Sequence, residues 1–388
     1  MHLKNINAKN IKSSILFMVI IPLAAAGRMR KKDVWIITER RDQARDNGYC
    51  FFRYVCVRHP EQEIIYIIDR SAPDYEKVRK IGPVIAFDSP AHYYYYCLSK
   101  THISSHVGGC MPANSPIARR LKKALAIRDV FLPHGVSYGV AEFCLKKYAK
   151  IDLFICSGYP EYLNILKNYG YTKKEAVYTG FPRLDLWHNL KINMKQILIM
   201  PTWRLYIAQN PDVDFYETAY YKAWQSLINS PGLSLFLEKN GLELVFYLHH
   251  EMQKYVDCFS TDSLAIRIIH SSDQCDIQEL LKDSALLVTD YSSVHFDFAY
   301  MNKPVLYYQF DKHTFFKKQY AQSGFDFEAD GFGPVFYGED ELTAGIISCV
   351  ESGYKVEKEY ADRIRSFYRL YDRNNCKRVF QEMKKRGM

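Results

Sequence analysis

Residues 283–298, DSALLVTDYSSVHFDF, run from an unbroken apolar stretch into a cluster of hydroxyl and carboxylate side chains and on into a helical pattern. An apolar run without polar alternation, as at 285–288, fits a strand covered on both faces, which is the condition of strands in a helix-wound parallel sheet. Thr289, Asp290, Ser292 and Ser293 are residue types that accept hydrogen bonds from the first N–H groups of a helix. A helix is expected from about 293 to 300, stopped by Asn302 and Pro304. Such a junction is ordinary α/β architecture, and it is also a place where unpaired N–H donors and the positive end of a helix suit an anion.

The same alternation recurs along the chain. Strands are expected near 33–38, 63–69, 84–86, 101–105, 129–133 and 152–156, with helices near 46–58, 74–80 and 93–98 among them. A second series follows about residue 190, with strands at 196–200, 242–248, 265–269, 285–288 and 304–308. Strand–helix repetition of this kind implies two doubly wound, Rossmann-like α/β halves. Ligands of such sheets bind beyond the carboxyl ends of the strands, and two such edges can face one another across a central cleft.

Composition narrows the class. With 48% hydrophobic and 24% charged residues over 388 positions, the chain is expected to be globular and long enough for two cores. The net charge of +9 is uneven: residues 115–150 carry eight Lys or Arg against Asp129 and Glu142. A basic face there suits an anionic membrane surface, with a solvated helix face as the plain alternative; nucleic acid is not expected, since no basic-aromatic binding module is recognisable. The apolar run 15–26, ILFMVIIPLAAA, is too short to span a bilayer and holds Pro22. With Arg28, Arg30, Lys31 and Lys32 behind it, it reads as a helix that is either core or laid in one leaflet. Ten cysteines are scattered without a C-x-x-C pair, which argues for free thiols in a reducing compartment and against a zinc site. No metal or cofactor is expected.

Two histidines stand at strand ends. Phe131-Leu132-Pro133-His134-Gly135 puts an imidazole just past an apolar strand, where it could take a proton from a hydroxyl near neutral pH or simply cap a loop. Leu248-His249-His250 ends a strand in the second half, with a satisfied core histidine as the alternative for His249. Arg183 and Arg204 lie near strand ends, where a phosphate or carboxylate partner or else an inter-domain salt bridge would satisfy them, and Asp297 falls one helical turn past Ser293.

The segment TDYSSVHFDFAYMNKPVLYY, residues 289–308, closely resembles the donor-site motif of the CDP-glycerol glycerophosphotransferase family, the teichoic acid polymerases and primases. The resemblance extends over about 34–311 and includes Asp46-Asn47, His134-Gly135, Ser157-Gly158, GFPRLD at 180–185, PTWR at 201–204 and His249. It departs from the family at Pro133, where many relatives have Trp, and at His250, where Pro is usual. The resemblance implies a GT-B-like fold with an acceptor and membrane-associated domain at 1–190, a CDP-donor domain at 191–355 and a C-terminal helix, 356–388, packing back toward the first domain. It implies His134 and His249 as the catalytic histidines, His134 as the base, and a donor site of Gly135, Arg204, Thr289, Ser292, Ser293 and Asp297, with Arg183 near phosphate or acceptor. The implied reaction moves glycerol phosphate or ribitol phosphate from CDP-glycerol or CDP-ribitol to a lipid-linked acceptor, in teichoic acid or capsule synthesis at the cytoplasmic face of the membrane, the protein being peripheral or monotopic. A nucleotide-sugar glycosyltransferase on the same scaffold and a non-catalytic membrane-associated binding module are the rival readings.

Overall fold

The computed structural model describes residues 8–30, 33–114, 116–273, 275–319 and 325–388. The chain divides into two compact units, Met1–Leu186 with Leu370–Met388, and Trp187–Arg369.

The first unit is built on a seven-stranded sheet of order β3-β2-β1-β4-β5-β6-β7, parallel throughout. Its strands are β1 Trp35–Thr38, β2 Ile64–Ile68, β3 Val84–Ala86, β4 Thr101–Ser104, β5 Arg128–Phe131, β6 Leu153–Cys156 and β7 Ala176–Tyr178. β1 and β2, reading WIIT and IIYII, are buried at every position, as a strand sandwiched between helices requires. The chain winds outward through β2 and β3, then returns to place β4 on the other side of β1, so winding reverses between β1 and β4. The register Thr38 to Ser104 to Phe131 brings the carboxyl ends of β1, β4 and β5 level.

The apolar run at 15–26 lies in a helix, Ala8–Arg30, with Pro22 inside it. Phe17, Ile20 and Ala24 enter the core against Tyr93 and Tyr96, with the Phe17 and Tyr93 rings 4.8 Å apart, while Ile15, Met18, Val19 and Leu23 face outward. Among the described residues no helix is long and apolar enough to cross a membrane. Lys31, Lys32 and Ser115 lie outside the described residues.

The second unit carries a six-stranded parallel sheet of order β10-β9-β8-β11-β12-β13. The strands are β8 Asn193–Ile199, β9 Glu243–Tyr247, β10 Ile266–Ile269, β11 Ser284–Thr289, β12 Val305–Tyr308 and β13 Val335–Phe336. Here winding reverses between β8 and β11, and Val288, Ile199 and Phe246 are in register. A core of Ile197, Ile199, Trp224, Leu237, Leu244, Phe246, Leu286 and Val288 holds the sheet to its helices.

The segment expected as one helix from 356 onward is two. Lys358–Phe367 belongs to the second unit and Asn375–Lys385 to the first. Asp372 and Asn374 lie between them, and Asp372 turns its carboxylate onto the Asn374 amide at 3.0 Å, a local bond that competes with continued helix.

Candidate active site

In the first unit the expected base sits on a loop fixed from beneath. Asp46 caps the helix Asn47–Arg58 by accepting from the Asn47 amide at 2.7 Å. Asn47 is wholly buried; its Nδ2 donates to the Pro133 carbonyl at 2.6 Å and its Oδ1 accepts from the Arg183 amide at 3.1 Å. The Arg183 guanidinium, buried as well, donates to Asp46 at 2.7 Å and to the His134 carbonyl at 3.0 Å. Two consecutive carbonyls, those of Pro133 and His134, are thereby clamped, and the His134 side chain is left exposed with Gly135 beside it. Farther along, the buried Glu161 carboxylate accepts from the amides of Ser137 at 2.7 Å and Ser157 at 2.6 Å, tying the far end of the loop to the end of β6. Burial pushes Glu161 up to about 7 against those amides, and Glu39, which accepts from Arg45, Asp46 and Tyr49, rises to about 7 through burial and the neighbouring Asp46.

Arg183 is thus an internal anchor whose charge meets Asp46 within its own unit, which corrects both the phosphate reading and the inter-domain salt bridge expected for that residue. The sequence marks Asp46-Asn47 and the 180–185 stretch only as separate matches to a family, not as partners. The buried roles of Glu39 and Glu161 carry no comparable signal, because each needs a carboxylate folded onto amides that only the finished loop presents.

In the second unit, three adjacent strand ends bring their residues together. Neighbouring strands lie ~4.8 Å apart, so the residues after β9, β8 and β11 emerge side by side: His249, then Thr202 to Arg204, then Thr289 to Ser293. Arg204 is fully buried and bidentate to Asp311, at 2.9 Å to each oxygen, and it also meets Asp290 at 2.8 Å. Burial opposes its charge, but the two carboxylates outweigh burial and drive its pKa up. Asp290 in turn accepts from the amides of Thr202 and Tyr291, at 2.7 and 2.6 Å. Tyr291 stacks on Phe315 with ring centroids 3.8 Å apart. The turn is therefore bolted to its sheet.

What that turn presents differs by residue. The Thr289 hydroxyl is buried and donates to the Met200 carbonyl at 2.7 Å, so it belongs to the sheet. Ser292 is half-buried and Ser293 exposed; Ser293 sits at the N-cap position of the helix Val294–Tyr300 without making a side-chain cap. Asp297 is half-buried one turn on. The His249 ring lies parallel to Trp203 with centroids 6.0 Å apart, and its Nδ1 accepts from the Glu251 amide at 3.3 Å. An imidazole whose Nδ1 accepts carries its proton on Nε2 when neutral, which makes that nitrogen a donor suited to a phosphate oxygen. His250 is exposed and pairs with Glu251. Asp290 and Asp311, unmarked as site residues by the sequence, are what hold Arg204 and the turn.

The Minor teichoic acid biosynthesis protein GgaB of Bacillus subtilis (strain 168) is 33% identical over 370 residues, 90% of this chain and 39% of that protein. A Teichoic acid poly(glycerol phosphate) polymerase of Bacillus spizizenii is 27% identical over 279 residues, 68% of this chain and 66% of that one. The chain thus spans less than two thirds of the length of these relatives. Among solved structures, the Wall Teichoic Acid Polymerase TagF superposes with a TM-score of 0.67 at 16% identity, covering 98% of both chains, and the shared fold is GT-B-like. Residues 19–385 match the family described as CDP-Glycerol:Poly(glycerophosphate) glycerophosphotransferase, and the chain is a member of that family.

Proposed function

We propose that the protein transfers an alditol phosphate, glycerol phosphate foremost, from a CDP-linked donor to a hydroxyl of a lipid-linked acceptor, in teichoic acid or capsule-like polymer synthesis. The observation that carries the reading is the exposed His134 imidazole on a loop whose adjacent carbonyls are clamped by two buried side chains, in a chain of this family. A base must stand at the reacting hydroxyl with little freedom.

In the proposed step the acceptor oxygen attacks the phosphorus next to the alditol and its proton passes to His134. The bond from that phosphorus to the bridging oxygen breaks, and CMP leaves with the electron pair. Ser292, Ser293 and His249 Nε2 donate to the pyrophosphate as negative charge grows on the leaving group. Thr289 and Arg204 support the turn from below, and Arg183 supports the base; their side chains are taken up by the protein and are not assigned to substrate. Ile15, Met18, Val19 and Leu23 form an exposed apolar stripe on the first helix. The helix Pro116–Ala124, whose Ala118 joins the same core, exposes Arg119, Arg120 and Lys123. Apolar stripe and basic helix suit the anionic cytoplasmic face of a membrane.

The test is CMP release by the full chain with a synthetic lipid acceptor, offered CDP-glycerol, CDP-ribitol and UDP- or GDP-sugars in parallel. CMP release from a CDP-alditol, abolished in His134→Ala with donor binding retained, is the expected result. Release of UDP or GDP from a sugar donor, or a fully active His134→Ala, overturns the reading.

A further inference from the structure

The backbone around His134 is clamped, but its ring is not: among the described residues the imidazole makes no hydrogen bond or ion pair, and its one aromatic neighbour is His106. The two rings lie nearly parallel, 16° apart with centroids at 5.2 Å. His106 stands two residues past β4, the strand between β1 and β5, at the point where winding of the first sheet reverses. Its place is set by a tight loop. The His106 amide donates to Ser104 Oγ at 3.1 Å and its carbonyl accepts from Gly109 at 3.0 Å. Gly109 packs so closely on Ser104 that a Cβ there would lie 2.0 Å from Oγ, which leaves that position to glycine.

His106 Nδ1 is buried without a hydrogen-bond partner, so no polar anchor inside the fold accounts for an imidazole here. Burial first, then His134 beyond β5 and Arg40 beyond β1, disfavour its charged form and bring it down to about 4, with Asp46 pulling the other way. Near neutral pH it is an uncharged plate. The same ring lines an open recess of ≈ 510 Å³ bounded also by Glu39, Arg40, Phe87, Gly109 and Met111, so open space adjoins His106 on that side.

We propose that His106 is a positioning residue for His134, a flat neutral ring that fixes the orientation of the base. This rests on the reading of His134 given above. An exposed side chain otherwise populates several staggered χ wells, and only the fraction aimed at the acceptor hydroxyl is productive.

The experiment compares His106→Ala and His106→Phe in the full chain. His106→Ala is expected to lower kcat for CMP release by about 30-fold or more, since small misplacements of catalytic groups carry costs of that size, while KM for CDP-glycerol stays within about twofold. His106→Phe, which keeps the plate, is expected to recover most of kcat and to leave the acid limb of the kcat–pH profile where the parent has it. Near-parental turnover in His106→Ala, a Phe variant as inactive as the Ala variant, or a donor KM rising in step with the loss of kcat overturns the proposal. Relaxation of the ¹³C-labelled His134 ring gives a readout without turnover: an ordered ring in the parent that becomes mobile in His106→Ala supports the pairing, and an unchanged ring refutes it. If the parent releases CMP from no CDP-alditol, the functional reading fails while the ring measurement still decides the pairing.

Discussion

At the scale of single residues, the two arginines show what a local reading can and cannot reach. Arg183 and Arg204 stand near strand ends, where a phosphate partner is chemically reasonable, yet each is buried onto carboxylates far along the chain. Asp46 lies 137 positions from Arg183 and Asp311 lies 107 from Arg204, so no spacing rule could pair them. The strand-end positions of His134, Ser292 and Ser293 were legible because their signal is local: an apolar run that stops at a polar turn. The consequences differ accordingly. Replacing Arg204 by Ala leaves Asp290 and Asp311 buried without their cation, a loss of roughly 3–5 kcal/mol, to be read as a fall in the urea midpoint of the second unit. Replacing Asn47 by Ala removes the donor to Pro133 and the acceptor for Arg183, at roughly 1–3 kcal/mol for the groups left unpaired. Because the loop it loosens carries the base, kcat for CMP release should fall with little change in donor KM. A drop in stability with kcat intact would separate the clamp from the chemistry.

At the scale of elements, the long buried strands were readable, and of the short edge strands β3 Val84–Ala86 was expected while β7 and β13 were not. β1 and β2 announce themselves as unbroken apolar runs and β3 as a short run between Gly82-Pro83 and Asp88-Ser89-Pro90, whereas β7 Ala176–Tyr178 and β13 Val335–Phe336 are edge strands of only three and two residues. The end of the chain misled for a related reason, since 356–385 has helical composition on both sides of a short break. Its last helix, Asn375–Lys385, belongs to the first unit: Phe380 lies against Trp35 and stacks on His59 at 3.7 Å. Phe380→Ala is therefore expected to destabilise the first unit by about 3–4 kcal/mol, seen as an earlier thermal transition. The helix Ala8–Arg30 makes the opposite prediction. Met18 and Leu23 are 67% and 60% exposed, so Met18→Glu with Leu23→Glu should leave melting nearly unchanged and abolish sedimentation with anionic phosphatidylserine vesicles. Undiminished sedimentation would remove this stripe as the membrane-facing element.

At the scale of the whole molecule, the two units should answer acid differently, because they bury different ionisable groups. The first holds His92, driven by burial down to about 4, and His102, driven well below its usual value, alongside Glu39 and Glu161 at about 7. A buried neutral histidine contributes stability that is present above its unfolded pKa near 6.5 and is lost as pH falls toward the folded value. A carboxyl raised by burial acts with the other sign, binding its proton more readily when folded, so acidification from 7 to 4.5 favours the folded form. The two effects oppose one another in the first unit over that window. His295 in the second unit has no such counterweight among these groups: burial brings it down to about 3, inside a cage of Phe296, Phe325, Phe327 and Phe332, with its Nδ1 2.5 Å from the Tyr307 hydroxyl. Between pH 6.5 and 4 its share of the loss is about 3 kcal/mol. His295→Phe keeps the aromatic packing and removes the titration, so although it forfeits the bond to Tyr307 at neutral pH, its stability should fall less steeply with acid. Urea unfolding followed separately for the two units, as independent cores require, would show the parent and variant curves converging from pH 7 to pH 4. Parallel curves would mean that His295 takes up its proton without unfolding the cage, and that the acid sensitivity of the second unit lies elsewhere.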